Sequence, residues 1–367
     1  MNNNYLASEV KTSQGNYRVI VGKDILGEMK SELEYAGLKG KKCFLIADKS
    51  MFPKNTKLLH ESLESQGFIT NSLSIEFSES LKNYDTVYKI YNWLADMKAE
   101  RKDFILSFGG GVTGDIVGFV ASTYLRGMPF IQVPTTLAAM TDASIGGKVA
   151  YNLEHGKNLV GAFYQPKLVF EELNFLSSLP EREKISGWAE AIKHSIILDK
   201  NLFEDFKLNR DKIYNLDNNY SAEILKRSVK IKGDIVSQDE FETGEERIKL
   251  NYGHTVGHAI EKVSNFNSYL HGEAVSIGMM VAIKISKKIG MIDNSSETEQ
   301  KTILENYNLP TFAKNLDKSK IFEAIKMDKK NVDGKVKWVL LDSIGKAKIV
   351  RGVDESVVKE AISEVII

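Results

Sequence analysis

Short runs of β-branched and aromatic residues alternate with longer amphipathic stretches through the first half of the chain: YRVIV at Tyr17 to Val21, CFLIA at Cys43 to Ala47, FILSF at Phe104 to Phe108 and FIQV at Phe130 to Val133. This alternation predicts an α/β fold with a largely parallel sheet. After LVF at Leu168 to Phe170 the period changes, and from Pro180 to about Leu304 the apolar positions recur at helical spacing with almost no strand signal. A late pair of runs, VKWVLL at Val336 to Leu341 and AKIV at Ala347 to Val350, is parted by Gly345 and predicts a small hairpin. Between the two patterns, SSLPE supplies a loop, a serine N-cap and a proline suited to a first helical turn. The expected division is therefore an α/β domain over 1–178 and a mainly α-helical domain over 179–367.

A chain of 367 residues is long enough for two such domains to bury a core each. Lys plus Arg and Asp plus Glu both total 49, so no global field favours nucleic acid or an anionic membrane, and neither is expected as a partner. The longest stretch without Asp, Glu, Lys or Arg, Gly127 to Thr141, contains Pro129 and Pro134 and falls short of the ~20 apolar residues of a membrane span. Cys43 is the single cysteine, which rules out an internal disulfide and suits a reducing compartment. The polar start, Met1 to Tyr5, lacks the apolar core of a signal peptide, and a cytoplasmic location is expected.

Three segments carry candidate chemistry. In FILSFGGGVTGDIVGF, Gly109 to Gly111 follow a buried-looking strand and lead through Gly114 and Asp115 into an apolar stretch able to open a helix. Glycines there let the backbone approach a phosphate, and the free N–H groups of a helix start supply partial positive charge. The spacing is not GxGxxG, and a plain tight turn is the competing reading. Asp48 follows its strand as a ribose-binding acid would, and also as a turn residue or cap would. VPTTLAAMTDASIGGKVAYNLEHGKN gathers Thr135, Thr136, Asp142, Lys148, Lys157 and Asn158, a mix that fits an anion better than packing, although each lysine alone reads as a surface residue. The third segment set is Glu190 in GWAEAIKH, His254 and His258 in NYGHTVGHAIE, and His271 in LHGEAVSIGM.

His254 and His258, at i and i+4 of a helix, project from one face as two ligands or as a ligand and a proton donor. One carboxylate and two imidazoles leave a coordination position open, which is the catalytic form of a zinc site. Taken singly, each histidine also reads as a hydrogen-bonded core residue, and HxxxH without a following Glu is not the HExxH pattern. Arg126, Lys193, Lys232, Arg247, Asn251, Lys329 and Lys330 add polar and cationic groups. These features describe a two-domain enzyme with a nucleotide-phosphate loop, a metal centre and an anionic substrate, without selecting a reaction.

The strings GGGVTGDIVGFVASTYLRG, FIQVPTT, GGK, GKNLVGAFYQP, LPERE, WAEAIKH, GHTVGHAIE and HGEAVSIGM, in this order, resemble the 3-dehydroquinate synthase family. The resemblance runs from about Ile46 to Gly345 and includes DKK and VLLDSIGKA near the C-terminus. It implies a nucleotide-binding first domain and a metal- and substrate-binding second domain. It assigns the metal, zinc or alternatively cobalt, to Glu190, His254 and His271. It assigns NAD to Asp48, Glu79, Lys82, Gly110, Gly111, Val112, Asp115, Thr135 and Thr136, with Lys148 and Lys157. Substrate contacts carry over to Asp142, Lys148, Lys157, Asn158, Lys193, Lys232, Glu242, Arg247, Asn251 and His258, with Lys329 or Lys330.

In relatives the residue at Arg126 reaches the neighbouring subunit's site, which implies a homodimer. The implied reaction takes 3-deoxy-D-arabino-heptulosonate 7-phosphate to 3-dehydroquinate and phosphate, by transient oxidation with NAD, phosphate elimination, re-reduction and aldol closure. Lys148, Asn158, Asn251 and His258 would hold the phosphate, and Arg247 with Lys232 the carboxylate. The chain departs from the common pattern where GGKTGVN is GGKVAYN, DSS is DAS and EAGLR is the one-residue-longer ETGEER. The insertion bears on Arg247, and so on the choice against another sugar-phosphate cyclase of the 2-deoxy-scyllo-inosose synthase type. A metal-dependent polyol dehydrogenase is the more distant rival.

Overall fold

Alternate residues of CFLIA point to opposite faces of one sheet in the computed structural model, which describes residues 3–38, 40, 42–50, 53–216, 219–264, 268–327 and 336–367. The described residues divide into two units, Met1–Pro180 with Leu225–Phe241, and Glu181–Ile224 with Glu242–Ile367. The strands of the first unit are β1 (Leu6–Val10), β2 (Tyr17–Gly22), β3 (Lys42–Asp48), β4 (Ile69–Ile75), β5 (Phe104–Gly109), β6 (Phe130–Pro134), β7 (Lys148–Leu153), β8 (Gly156–Phe163) and β9 (Leu168–Glu172). Its helices include α1 (Met29–Tyr35), α2 (Pro53–Ser65), α3 (Tyr84–Asp96) and α4 (Gly111–Thr123).

Seven strands form the main sheet in the order β1-β2-β9-β6-β5-β3-β4, parallel except for the β1–β2 pair. Cys43, Leu45, Leu106 and Phe108 pack with Met29 and Leu33 of α1 and Leu59 and Leu63 of α2. Phe44, Ile46 and Ile105 face the other way, against Val87, Ile90 and Leu94 of α3 and Ile116, Val117 and Val120 of α4. A sheet covered on both faces accounts for the near-continuous apolar runs in its central strands. β1 and β4, at the two edges, escaped the sequence reading because LASEV and ITNSLSI carry polar residues on their open sides.

The second unit contains α5 (Glu181–Leu198), α6 (Lys200–Leu208), α7 (Arg210–Tyr214) and the start of α8 (Asn219–Gln238). It continues with α9 (His254–Val263), α10 (His271–Lys288), α11 (Asn294–Asn306), α12 (Lys318–Lys326), the hairpin β10 (Lys337–Ser343) and β11 (Lys346–Arg351), and α13 (Glu355–Val365). The late hairpin and the helical run are where the hydrophobic pattern places them. Two details differ from expectation. α5 opens at Glu181 with Pro180 just before it, while Ser178 ends a 3₁₀ stretch and does not cap the helix. From Leu225 on, α8 belongs with the first unit, a return that a single break at residue 178 does not include. Gly233 of α8 lies against Ser8 of β1, and Lys11 N and Ser13 N donate to Ser237 Oγ and Glu240 Oε2 at 2.9 and 2.7 Å.

Candidate active site and metal centre

In the first unit the chain runs β3 to β4 outward on one side and returns to place β5 on the other side of β3. Such a reversal opens a crevice at the carboxyl ends of the strands, the usual ligand position in open α/β sheets. Every residue of the first unit expected to meet NAD, apart from the two hairpin lysines, ends or follows β3, β4, β5 or β6 at its carboxyl end: Asp48; Glu79 and Lys82; Gly110, Gly111, Val112 and Asp115; Thr135 and Thr136. Gly110 is the N-cap of α4 and makes no side-chain cap, so the helix opens with bare backbone N–H groups. Thr135 N donates to Gly109 O at 3.0 Å, and Thr136 stands directly beside Gly110. Asp48 closes a turn, its Oδ1 accepting from Ser50 N and Oγ at 2.9 and 2.8 Å.

Lys148, Lys157 and Asn158, in a segment where each lysine alone reads as a surface residue, sit on an antiparallel hairpin of β7 and β8. The hairpin packs on α4 through Val149, whose side chain fills the space that a Cβ on Gly118 would need. The valine that replaces a hydroxyl residue is thus buried packing, 2 % exposed. Asn152 Nδ2 donates to Glu79 Oε1 at 2.7 Å, and Asn152 Oδ1 accepts from Asn158 N at 2.9 Å. That contact steadies Asn158 in a left-handed conformation, φ 54°. Buried Lys82 donates to both Asn158 Oδ1 and Asp115 Oδ2 at 2.5 Å, while Lys157 lies 3.3 Å from Glu79. Burial raises the Asp115 carboxyl to about 6, against the opposing charge of Lys82. Asp142, in a π-helical turn Ala139–Ala143, accepts from Lys232 Nζ at 2.5 Å.

In the second unit Glu190, His254 and His271 bring one ligand atom each to within 4.8 Å of one another. Glu190, on α5, is 1 % exposed, and its Oε1 has no hydrogen-bond partner. The Nε2 atoms of His254 and His271 both lie 3.5 Å from that oxygen. Ligands at the ~2.0–2.2 Å bond lengths of zinc stand about 3.4 Å apart on a tetrahedron, so the donor set fits such an ion. His254 Nδ1 is turned to Tyr252 O at 3.2 Å, and the Tyr252 hydroxyl is held by Gln300 at 2.7 Å. Burial and the charge of Lys193 keep His254 well below the ordinary imidazole value, in the neutral form that binds metals. Burial opposes ionisation of Glu190, yet Lys193, His254 and His271 hold its carboxyl well below the usual range. Lys193 Nζ donates to Glu190 Oε2 from the next turn of α5.

Two close approaches let these three helices meet. A Cβ on Gly272 would fall 1.8 Å from Ser186 O, so only glycine lets the first turn of α10 touch α5 beside Glu190. A Cβ on Gly278 would fall 2.0 Å from Gly253 O, where α9 begins against α10. Arg182 of α5 adds a two-pronged contact to Glu273 at 2.7 Å, anchoring the residue after next from His271. Gly272→Ala is therefore expected to lower unfolding stability by ~1–3 kcal/mol and zinc affinity with it, because relief of the clash moves His271. Urea unfolding and zinc titration of the purified variant check this; a variant that binds zinc like the parent would show that α10 is placed by something else.

The family models described as 3-dehydroquinate synthase N-terminal and 3-dehydroquinate synthase C-terminal match residues 72–186 and 187–331. The 3-dehydroquinate synthase of Thermodesulfovibrio yellowstonii is 41 % identical over 93 % of this chain and 94 % of its own. The chain belongs to the 3-dehydroquinate synthase family. Among solved structures, a 2-deoxy-scyllo-inosose synthase complexed with carbaglucose-6-phosphate, NAD⁺ and Co²⁺ is 26 % identical, with TM-score 0.86 over 97 % of this chain and 99 % of that one. The 2-epi-5-epi-valiolone synthase of Streptomyces hygroscopicus, bound to NAD⁺ and Zn²⁺, shares the fold at TM-score 0.86 and 24 % identity, covering 95 % of this chain and 96 % of that one.

For a 3-dehydroquinate synthase family member, the inserted residue in ETGEER is the departure with most at stake. Around it Glu245 pairs with Arg351 and Glu246 with Lys249, while Arg247 is 3 % exposed at the head of a 3₁₀ turn, Arg247–Asn251. Asn251 Nδ2 donates to Glu242 Oε1 at 3.1 Å, and Glu242 itself has φ 56°. Arg126 is exposed and follows Leu125 in a strained turn, φ 65° and 51°, pinned by Arg101 Nη2 to Leu125 O at 2.8 Å. Lys329 and Lys330 lie outside the described residues. Sequence reading passed over Asn152, Tyr252, Gln300 and Glu261. Of these only Glu261 left a signal, as the i+7 partner of His254 on the face that also carries His258.

Proposed function

We propose that the chain is a 3-dehydroquinate synthase, an NAD- and metal-dependent lyase that converts 3-deoxy-D-arabino-heptulosonate 7-phosphate to 3-dehydroquinate and phosphate. The reading rests on Glu190, His254 and His271, an orphaned buried carboxylate oxygen facing two imidazole nitrogens, in a chain of this family. When bound, NAD would take a hydride from the carbon bearing one substrate hydroxyl and later return it, and the divalent ion, zinc or cobalt, would polarise that hydroxyl so that its proton leaves.

In the first unit the N–H groups at Gly110, Gly111 and Val112 receive the NAD pyrophosphate, with Thr135 and Thr136 alongside. Asp48 accepts from a ribose hydroxyl, and Glu79, Lys82, Asp115, Lys148 and Lys157 complete the cofactor's surroundings. Lys148 and Asn158 take the phosphate of the substrate, Asp142 orients its hydroxyls, and Lys232 meets its carboxylate. In the second unit Asn251 and His258 have the phosphate role, Arg247 grips the carboxylate with its planar fork, and Lys193 and Glu242 hold hydroxyls. Oxidation of one alcohol to a ketone acidifies the neighbouring C–H. Loss of that proton and of phosphate then forms the alkene, and the cationic residues around the phosphate stabilise it as it leaves.

The enzyme works as a cytoplasmic homodimer in this reading. Support for pairing comes from Tyr84, Tyr88 and Leu125, which are 55, 53 and 39 % exposed, the last of them beside Arg126 in a strained turn. A surface of that apolar character suits a second protein copy. Among the described residues no helix is long and apolar enough to cross a membrane.

Incubating the purified protein with the heptulosonate phosphate, NAD and zinc is expected to release one phosphate per substrate with no net NADH. Steady accumulation of NADH would instead make the chain a dehydrogenase. Preferential phosphate release from glucose 6-phosphate would make it a cyclase of the inosose type.

A further inference from the structure

The two histidines of the metal cluster are held from behind by different acceptors. His254 Nδ1 faces a backbone carbonyl, Tyr252 O, at 3.2 Å, whereas His271 Nδ1 faces a carboxylate, Glu261 Oε2, at 3.4 Å. Glu261 comes from α9, seven residues after His254, and is 9 % exposed. We propose that Glu261 is a positioning residue for the metal centre: it accepts from His271 Nδ1–H, fixes the ring so that Nε2 presents its lone pair beside Glu190 Oε1, and strengthens that nitrogen as a donor. The inference rests on the assignment of Glu190, His254 and His271 as the ligand set.

The geometry separates this role from direct ligation. Glu261, His258 and His271 also bring one ligand atom each to within 4.8 Å of one another, so a second ion between them has to be considered. Glu261 lies on the Nδ1 side of the His271 ring and Glu190 on the Nε2 side, at 3.4 and 3.5 Å. One imidazole cannot turn the same lone pair both ways, and the orphaned oxygen is on Glu190. His254 is more deeply buried than His271, whose side chain is 40 % exposed, so the outer ring is the one that needs an anchoring carboxylate. A hydrogen-bonded carboxylate behind a ligating histidine orients the ring and raises its basicity, and its loss typically weakens metal binding 10- to 100-fold.

The test uses metal-free full-length protein, zinc and cobalt titrated against a competing chelator, and the visible absorption of the cobalt form. Glu261→Ala is expected to raise both dissociation constants roughly 10- to 100-fold, and Glu261→Gln, which keeps an acceptor but not the charge, by less. The cobalt bands should keep the intensity of the parent's coordination number, and NAD binding should be unaltered. Parent-like metal affinity in Glu261→Ala would overturn the proposal, and so would a changed coordination number, which would make Glu261 a ligand. Should Glu261→Ala fail to unfold cooperatively, parent-like affinity in the near-isosteric Glu261→Gln together with parent-like cobalt bands overturns it equally. Parent protein that takes up no metal would instead refute the ligand set itself.

Discussion

Glu190→Gln is expected to purify without bound zinc and to lose phosphate release by at least ~100-fold, since a polarising cation supplies several kcal/mol of the stabilisation the reaction needs. The physical reason is local. Glu190 is the anion that Lys193, His254 and His271 share, and it is 1 % exposed. Gln keeps the shape but leaves Lys193, also 1 % exposed, without its counter-charge. Breaking a buried pair from one side costs about 3–5 kcal/mol, so the variant should keep its far-ultraviolet dichroism at room temperature and melt earlier. His271→Ala is the companion variant, because its side chain is 40 % exposed and Glu190 keeps Lys193 as its counter-charge. It should lose zinc with a smaller change in melting. Elemental analysis and phosphate assays decide the matter: full zinc occupancy in both variants would remove these residues from the ligand set.

The contrast between what the sequence disclosed and what it hid follows from how local each signal is. Central strands β3, β5, β6 and β9 bury both faces, so their residues form near-continuous apolar runs that stand out against flanking helices. β4, with the burial of an edge strand, alternates weakly and merges with its surroundings. The β7–β8 hairpin was hidden for a different reason: GGKVAYNLEHGKN is rich in glycine and charge, as a loop is, and its antiparallel backbone pairing, with Val149 packed on Gly118, appears only in the structure.

At the metal centre, residue types and spacing made His254, His258 and His271 visible, and the family resemblance selected which were ligands. The supports remained out of reach because they act through atoms that a sequence does not display. The Tyr252 carbonyl is backbone, and Gln300 reaches Tyr252 across 48 residues. Lys82 was legible only through resemblance, although it is buried between Asp115 and Asn158 and tightly constrained by both.

That constraint gives Lys82→Met a pH-dependent signature. Lys82 is 4 % exposed and donates to Asp115 and Asn158 at 2.5 Å each. In the parent protein, burial raises Asp115 from 3.8 to about 6, and Lys82 is the main influence in the other direction. The folded protein thus holds a proton on Asp115 between about pH 3.8 and 6 that the unfolded chain has released, and this contribution to stability declines as pH rises through that window. Methionine removes the opposing charge, so Asp115 rises above its parent value and the decline continues toward neutral pH.

At pH 5 Asp115 is largely protonated with or without the lysine, and the two proteins should unfold at similar urea concentrations. At pH 8 the variant must either ionise a half-buried carboxyl without its lysine or hold a proton against the solution. It should then be less stable by ~1–3 kcal/mol. Asn158 Oδ1 also loses its contact with Lys82, so the Michaelis constant for the sugar phosphate should rise at every pH. Urea midpoints at the two pH values test the electrostatic argument directly. A stability difference of the same size at pH 5 and pH 8 would mean that Lys82 acts through packing of its alkyl stem and that its charge is immaterial to Asp115.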